Sequence, residues 1–273
     1  LEADPKHADH LGNYANFLMN VRGDHDRAEE FYKRALKADP KHVNNSGNYA
    51  LFLTDVRGDH DWAEEFYKRA LEADPTNARI LGNYANFLTN VRGDHDQAEE
   101  FYKRAIKADP KHAAHLGNYA LFLTDVRGDH DQAEEFYKRA LEADPKNARI
   151  SLNYGRFLLT RGKIQLGIEM VDRSIAHQTQ TSSDALRAEC MTYLYCCGPE
   201  ARRGAALASL KFLVVNREIR TGDCSFSGII ERAKVMGHPE AEWLPKMAEV
   251  LAGRSAVSGL EAWPAWRNSG AQG

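Results

Sequence analysis

An asparagine recurs every 35 residues along the first half of the chain, at Asn13, Asn48, Asn83, Asn118 and Asn153. Its side-chain amide has both donor hydrogens and an acceptor oxygen, so each copy can pair with the N–H and the C=O of one peptide unit in an extended ligand. Asparagine has only moderate helix propensity, so packing within a helix does not by itself explain the pattern. Two alternatives stay open: the residue was duplicated together with its surroundings, or it bonds to a neighbouring helix.

Residue types that could support catalysis or metal binding lack the spacing that those functions require. The motif Gly-Asp-His-Asp recurs with its first aspartate at Asp24, Asp59, Asp94 and Asp129, but the copies lie one repeat apart, too far for one mononuclear metal site. Capping of a helix N-terminus explains these aspartates. No nucleophile elbow, phosphate-binding loop, dinucleotide-binding glycine motif or zinc-protease motif is present, so the sequence predicts neither an enzyme nor a bound metal or cofactor.

The composition and charge of the chain disfavour nucleic acid and membrane as partners. The 273 residues carry a formal net charge of −3, whereas a nucleic-acid-binding protein usually presents a basic surface. The apolar runs are far shorter than the ~20 residues that span a bilayer. The four cysteines lie in the C-terminal half without zinc-binding spacing, which is typical of free thiols in a reducing compartment. We therefore expect a cytoplasmic protein that binds neither nucleic acid nor membrane.

A repeated 35-residue block predicts a helix, a short turn and a second helix. The blocks begin at Gly12, Gly47, Gly82 and Gly117, and a fifth, divergent copy begins at Leu152. In the first block, apolar residues fall at helical spacing on both sides of Arg22-Gly23, where glycine suits a left-handed helix C-cap. These apolar positions are Leu11, Tyr14, Ala15 and Leu18 in the first helix, and Ala28, Phe31, Tyr32 and Ala35 in the second.

The block resembles the tetratricopeptide repeat (TPR), a pair of antiparallel helices. The matching residues are Tyr14, Ala15, Gly23, Ala28, Tyr32, Ala35 and Pro40. The Val-Arg-Gly-Asp turn is one residue longer than the usual unit of about 34 residues requires, and the fifth copy returns to the shorter spacing. The resemblance implies an all-α, right-handed αα superhelix of about seven helix pairs. We expect a TPR array over residues 1–176 and a degenerate helical region over residues 177–273.

In this family the first helix of each repeat lines a concave groove that binds an extended peptide or a segment of a partner protein. The resemblance therefore places the five asparagines on the groove, where they are similar to the asparagine ladder of the O-linked N-acetylglucosamine transferase TPR superhelix. Further groove residues are Asn16 and Asn86, the apolar Leu51 and Leu121, and the basic Arg149 and Arg156. The two arginines predict that an acidic side chain or the C-terminal carboxylate of the ligand lies at that end. The implied function is a protein–protein interaction scaffold without catalytic activity.

The helical region after residue 176 admits two interpretations. It caps the array, as atypical terminal repeats do, or it is a docking module with Trp263 and Trp266 as anchors for a partner. An alternative function for the whole chain is a regulatory arm that docks an effector domain outside these 273 residues. The segment Leu1–Pro5 matches the end of a repeat, so we expect the chain to begin within one.

Overall fold

The computed structural model describes residues 7–178, 183–217, 219, 221 and 226–269, and these residues form helices joined by short turns. The α-helices are α1 Ala8–Phe17, α2 His25–Ala38, α3 Val43–Phe52, α4 His60–Ala73, α5 Ala78–Phe87, α6 His95–Ala108, α7 Ala113–Phe122, α8 His130–Ala143, α9 Ala148–Thr160, α10 Ile164–Ala176, α11 Asp184–Cys197, α12 Glu200–Asn216, α13 Ser227–Val235, α14 Leu244–Leu251 and α15 Pro264–Asn268. We call α1, α3, α5, α7 and α9 the A helices and α2, α4, α6, α8 and α10 the B helices. The chain divides into two compact units, Leu1–Phe136 and Tyr137–Gly273, with the division inside α8.

Each of the first four B helices begins after an aspartate N-cap. The carboxylate of Asp24 accepts a hydrogen bond from the Arg27 backbone N–H at 3.3 Å, and that of Asp94 accepts from the Gln97 N–H at 3.1 Å. Asp26 follows in the first turn, where the helix dipole stabilises negative charge. The capping role predicted for the Gly-Asp-His-Asp motif is therefore confirmed.

The extra residue of the 35-residue repeat is absorbed by a π-helical turn at the end of the A helix. These turns are Leu18–Arg22, Leu53–Arg57, Leu88–Arg92 and Leu123–Arg127. In the first, the Asp24 N–H donates to the Leu18 carbonyl six residues earlier at 3.0 Å, across Gly23, whose φ is 63°. In the fifth repeat the Lys163 N–H donates to the equivalent Leu158 carbonyl only five residues earlier, and α9 is α-helical to its end. The insertion therefore widens one helical turn instead of lengthening the loop.

Successive repeats of the first unit pack through aromatic side chains. Tyr32 on α2 contacts Tyr49 and Phe52 of α3, the next A helix. The centroid of the Tyr32 ring lies 5.6 Å from that of Tyr49 and 5.5 Å from that of Phe52. Tyr49 in turn meets Phe66 of α4 edge-on at 4.9 Å. The same contacts recur one repeat later among Tyr67, Tyr84, Phe87 and Phe101. Each repeat thus buries its apolar face on the next one, which is the packing expected of a repeat array.

The A helices also contact one another directly, at a glycine that leaves room for the next helix. A side chain at Gly82 would overlap the ring of His115 on α7. The equivalent pairs are Gly12 with Asn45 and Gly47 with Ile80. These glycines are therefore required by the close approach of two helices and not by an unusual backbone conformation.

The second unit contains the fifth repeat and the helices that follow it. α11 and α12 form a further helix pair, and α13 packs against both α9 and α11, so the last helices do not simply extend the row of pairs. Trp263 and Trp266 lie in the core of this unit, at 0% and 2% exposed. Their burial contradicts the interpretation of these two side chains as surface anchors for a partner.

The observed elements confirm the predicted all-α class of paired helical repeats. The expected boundary at residue 176 coincides with the end of α10, inside the second unit, and its meaning as a domain boundary stays a prediction. Over the described residues, the helices are too short or too polar for any of them to cross a membrane.

His115 is a buried titratable group at one of the contacts between A helices. It is 3% exposed, its ring stacks on His112 at 3.7 Å, and neither ring nitrogen has a hydrogen-bond partner among the described residues. Burial first and the charge of His112 second lower the pKa of His115 to about 4, while Asp109 opposes the shift and Arg79 adds to it. The unfolded chain therefore binds a proton between pH ~6.5 and pH ~4 that the folded chain excludes, so the folded state loses stability as the pH falls through this range.

Replacing His115 by isoleucine should remove this part of the pH dependence. Isoleucine already occupies the equivalent buried positions at Ile80 and Ile150, so His115→Ile fits the packing. We expect the loss of unfolding free energy between pH 7 and pH 4, measured by urea titration, to be about 3 kcal/mol smaller than in the wild type.

The matched control is His10→Ile, because His10 is the equivalent residue of the first repeat and is exposed. This variant should keep the wild-type pH dependence. If His115→Ile also kept it, His115 would not be the buried group that resists protonation.

Candidate functional site

One face of each A helix in the first unit stays accessible after the repeats have packed. On α3 and the π turn that follows, this face carries Asn44, Asn48, Leu51 and Asp55, at the four- and three-residue spacings of a helical stripe, and none of the four is buried. The equivalent residues are Asp9, Asn13, Asn16 and Asn20 at α1, Arg79, Asn83, Asn86 and Asn90 at α5, and Ala114, Asn118, Leu121 and Asp125 at α7. We call these residues the A-helix face.

Arg79 joins the faces of α3 and α5. Its guanidinium donates to the side-chain oxygens of Asn44 and Asn48, both at 2.8 Å. The A-helix face is therefore continuous between these two repeats. The bond also shows that Asn48 pairs with a neighbouring helix, which is one of the alternatives that the sequence left open for the recurring asparagine.

The other copies of the recurring asparagine are accessible to different degrees. Asn13 is exposed, whereas Asn83 and Asn118 are half-buried on the A-helix face. Over the described ranges, the amides of Asn83 and Asn118 make no hydrogen bond within the protein. Asn153 is half-buried in the second unit. The structure thus brings Asn48, Asn83 and Asn118 onto one face, where two of the three amides are available to a ligand.

Asn16 and Asn86 have an internal role besides their place on the A-helix face. The hydroxyls of Tyr32 and Tyr102 on the B helices donate to their side-chain oxygens, each at 2.6 Å. Burial raises the pKa of both tyrosines to about 12, so these hydroxyls stay protonated and act as donors at neutral pH. The acceptor of each amide is therefore used by the fold, and the amide stays partly accessible.

Leu51 and Leu121 give the A-helix face its apolar surface. Both are half-buried and hold the position that asparagine holds in the first and third repeats. The nearby hydroxyls of Thr54 and Thr124 donate to carbonyls four residues earlier in their own helix, at 2.9 and 2.8 Å. Because these hydroxyls already donate within their own helix, the surface next to the leucines is mainly suited to apolar contact.

The two arginines predicted to hold a ligand carboxylate already make interactions within the protein. Arg149 donates to both carboxylate oxygens of Glu189 on α11, at 2.9 and 3.1 Å, and the Glu189 side chain is only 6% exposed. Arg156 is half-buried and has a contact of its own. The carboxylate that Arg149 binds in this structure therefore belongs to the protein itself.

The structure contains an ionic contact between repeats that was not predicted from the sequence. Arg127, at the end of the fourth π turn, donates to Glu99 at 2.8 Å and to Asp96 at 2.7 Å on the preceding B helix. A hydrogen bond from Lys103, only partly opposed by burial, and a further bond from Arg127 lower the pKa of Glu99. The same bonds link Arg57 with Glu29 and Asp26, and Arg92 with Glu64 and Asp61. The one signal in the sequence was the recurrence of this arginine and these two acidic residues in each of the first four repeats.

The buried cysteines are unsuited to nucleophilic chemistry. Cys190, Cys196 and Cys197 are free thiols with almost no exposed surface. Burial raises the pKa of Cys190 and of Cys197 to about 11, so both stay protonated at neutral pH. Among the described residues, no three histidine, cysteine, aspartate or glutamate side chains are grouped so that they could hold a metal ion.

Comparisons with known proteins agree with this architecture. Two sequence profiles, both described as tetratricopeptide repeat, match the chain: one over residues 57–122 and 127–190 and the other over residues 1–43, together more than half of it. The search of curated proteins finds no match.

Solved structures with a similar fold come from several bacteria. PilF of Pseudomonas aeruginosa is 18% identical, with a TM-score of 0.63 over 77% of this chain and 91% of that one. A thermophilic TPR protein of Thermus thermophilus is 18% identical, with a TM-score of 0.58 over 67% and 96% of the two chains. A TPR protein from Parabacteroides merdae is 19% identical, with a TM-score of 0.54 over 89% and 98%. At these identities the likeness shows the fold alone.

Helix pairs that stack through aromatic and glycine contacts, and that leave one helix face accessible, define an α-helical repeat protein. The chain belongs to the tetratricopeptide repeat family. The helix-pair arrays of this family generally serve as scaffolds for protein–protein interaction and are generally not enzymes.

The pairing of Arg149 with Glu189 predicts a structural role that a ligand-binding arginine would not have. In Arg149→Gln the Glu189 carboxylate stays buried without its partner, so we expect the free energy of unfolding to fall by about 3 kcal/mol. In Arg149→Gln/Glu189→Gln the buried charge is gone, and part of the loss should be recovered. Urea titration of the two variants and the wild type measures both effects. Wild-type stability in Arg149→Gln would instead leave this arginine free for a ligand.

Proposed function

We propose that the A-helix face of the first unit binds a segment of a partner protein in an extended conformation. The observation that carries the proposal is the row of accessible amides, in which Asn83 and Asn118 have no hydrogen-bond partner within the described part of the protein. An amide at such a position can donate to a peptide C=O and accept from a peptide N–H. Binding a peptide backbone in this way requires no fixed ligand sequence, which suits a scaffold.

The spacing of the repeats supports an extended ligand. Packed helices lie about 10 Å apart, and an extended chain advances about 3.3 Å per residue. One amide per repeat would therefore meet roughly every third residue of the ligand, and the four repeats of the first unit would hold roughly 12 residues. Leu51 and Leu121, two repeats apart, would then contact apolar parts of the ligand's side chains. The buried free thiols are compatible with a reducing compartment, and we propose the cytoplasm.

Peptides of random sequence test the proposal directly. A phage-displayed library of random peptides about 12 residues long is panned on the wild-type protein, and selected peptides are synthesised. We expect Asn83→Ala/Asn118→Ala to bind them roughly 30-fold more weakly by isothermal titration calorimetry, because each of the two lost hydrogen bonds costs about 1 kcal/mol.

The control removes two amides from the other helix of the same repeats. Gln97→Ala/Gln132→Ala truncates exposed glutamines on α6 and α8 and should keep the wild-type affinity. Unchanged affinity in Asn83→Ala/Asn118→Ala would contradict the proposed role of the A-helix face. An equal loss of affinity in this variant and in the glutamine control would also contradict it.

A further inference from the structure

Asp55 is a carboxylate on the A-helix face that the fold leaves without a counter-charge. It lies in the π turn after α3 and is exposed, and no hydrogen bond or ion pair with another described residue engages its carboxylate. Partial burial by the surrounding protein raises the pKa of Asp55, and no cationic group lowers it again. Other carboxylates of the first unit are engaged: that of Asp9 contacts a ring nitrogen of His42 at 2.9 Å, and that of Asp61 pairs with Arg92 at 2.7 Å.

The basic residue of the same surface does not neutralise Asp55. Arg79 is the one lysine or arginine of the A-helix face as defined above, and its two terminal nitrogens donate to Asn44 and Asn48. The neighbouring Arg57 is likewise committed, since it binds Glu29 and Asp26 of the preceding B helix. A positive charge that meets Asp55 must therefore come from a partner.

An apolar side chain adjoins this carboxylate on the same stripe. Leu51 precedes Asp55 by one helical turn and is half-buried, so part of its surface remains available for contact. Lysine and arginine side chains combine an apolar stem with a charged end, and they bury the stem while the charge stays at a polar site. A leucine followed by a carboxylate one turn later matches both parts of such a side chain.

We propose that Leu51 and Asp55 form a subsite for a basic side chain of the bound peptide, with its stem on Leu51 and its charge on Asp55. The subsite rests on the peptide-binding function proposed above and gives that ligand a charge. It also differs from the expectation based on Arg149 and Arg156, which was an acidic side chain or a C-terminal carboxylate of the ligand. At Asp55 the uncompensated charge of the A-helix face is negative, so the partner segment is basic there.

Asp55→Asn tests the subsite with little risk to the fold. Asparagine is the residue that the first and third repeats already carry at this position, as Asn20 and Asn90. The random peptide library is panned in parallel on the wild type, on Asp55→Asn and on Glu65→Gln. Glu65 is exposed on α4 of the same repeat, so its variant removes the same charge from a B helix.

We expect lysine or arginine to be enriched at one position of the peptides selected by the wild type and by Glu65→Gln, and not in those selected by Asp55→Asn. A selected peptide is then compared with its analogue in which methionine replaces that basic residue. Asp55→Asn should weaken the basic peptide by about fivefold and the methionine analogue by less than about twofold, as measured by isothermal titration calorimetry.

The outcomes separate this subsite from the function on which it rests. If binding depends on Asn83 and Asn118 but Asp55→Asn weakens both peptides equally, the subsite is wrong and the peptide-binding function stands. If the three proteins select the same proportion of basic residues, the subsite is also wrong. If the library yields no peptide on any of them, the proposed function and the subsite fall together.

Discussion

The contact between one repeat and the next is the interaction on which the rest of the structure depends. A single helix pair cannot bury its apolar face alone, so each repeat buries that face against its neighbour. In the first unit this contact combines packed aromatic rings, such as Tyr32 against Tyr49, with the charge-assisted bonds of Arg57 to the preceding B helix. Because the same contact recurs, the position of one repeat fixes that of the next within the unit.

This contact also determines where a partner can bind. Packing occupies the aromatic side of each A helix and the side that carries Gly47 or Gly82, and it leaves the stripe of amides, leucines and carboxylates accessible. Residues on that stripe lie outside the aromatic and Arg57-type contacts, so they can differ between repeats while those contacts are kept. They do differ, since Leu51 and Asp55 replace the asparagines of the neighbouring repeats. Partner specificity can therefore be set on the A-helix face while the contact between repeats stays constant.

The parts of this structure that depend on local signals could be predicted from the sequence. The cap at Asp24 and the left-handed Gly23 follow from residue type and position within one turn. The repeat period predicted the helix pairs. It did not predict the π turn, because one inserted residue can either lengthen a loop or widen a helical turn, and both give the same period. Contacts between residues distant in sequence could not be predicted in this way. No local sequence signal indicates that Arg149 binds Glu189 or that Trp263 is buried.

Hydrogen–deuterium exchange with and without a selected peptide tests the central claim most directly, namely that the partner lies on the A-helix face. The backbone amides closest to a ligand on this face belong to α3, α5, α7 and the π turns that end them. We expect the peptide to slow exchange in these segments and to leave α4 and α6 nearly unchanged. Slower exchange confined to the B helices, or confined to the second unit, would contradict it.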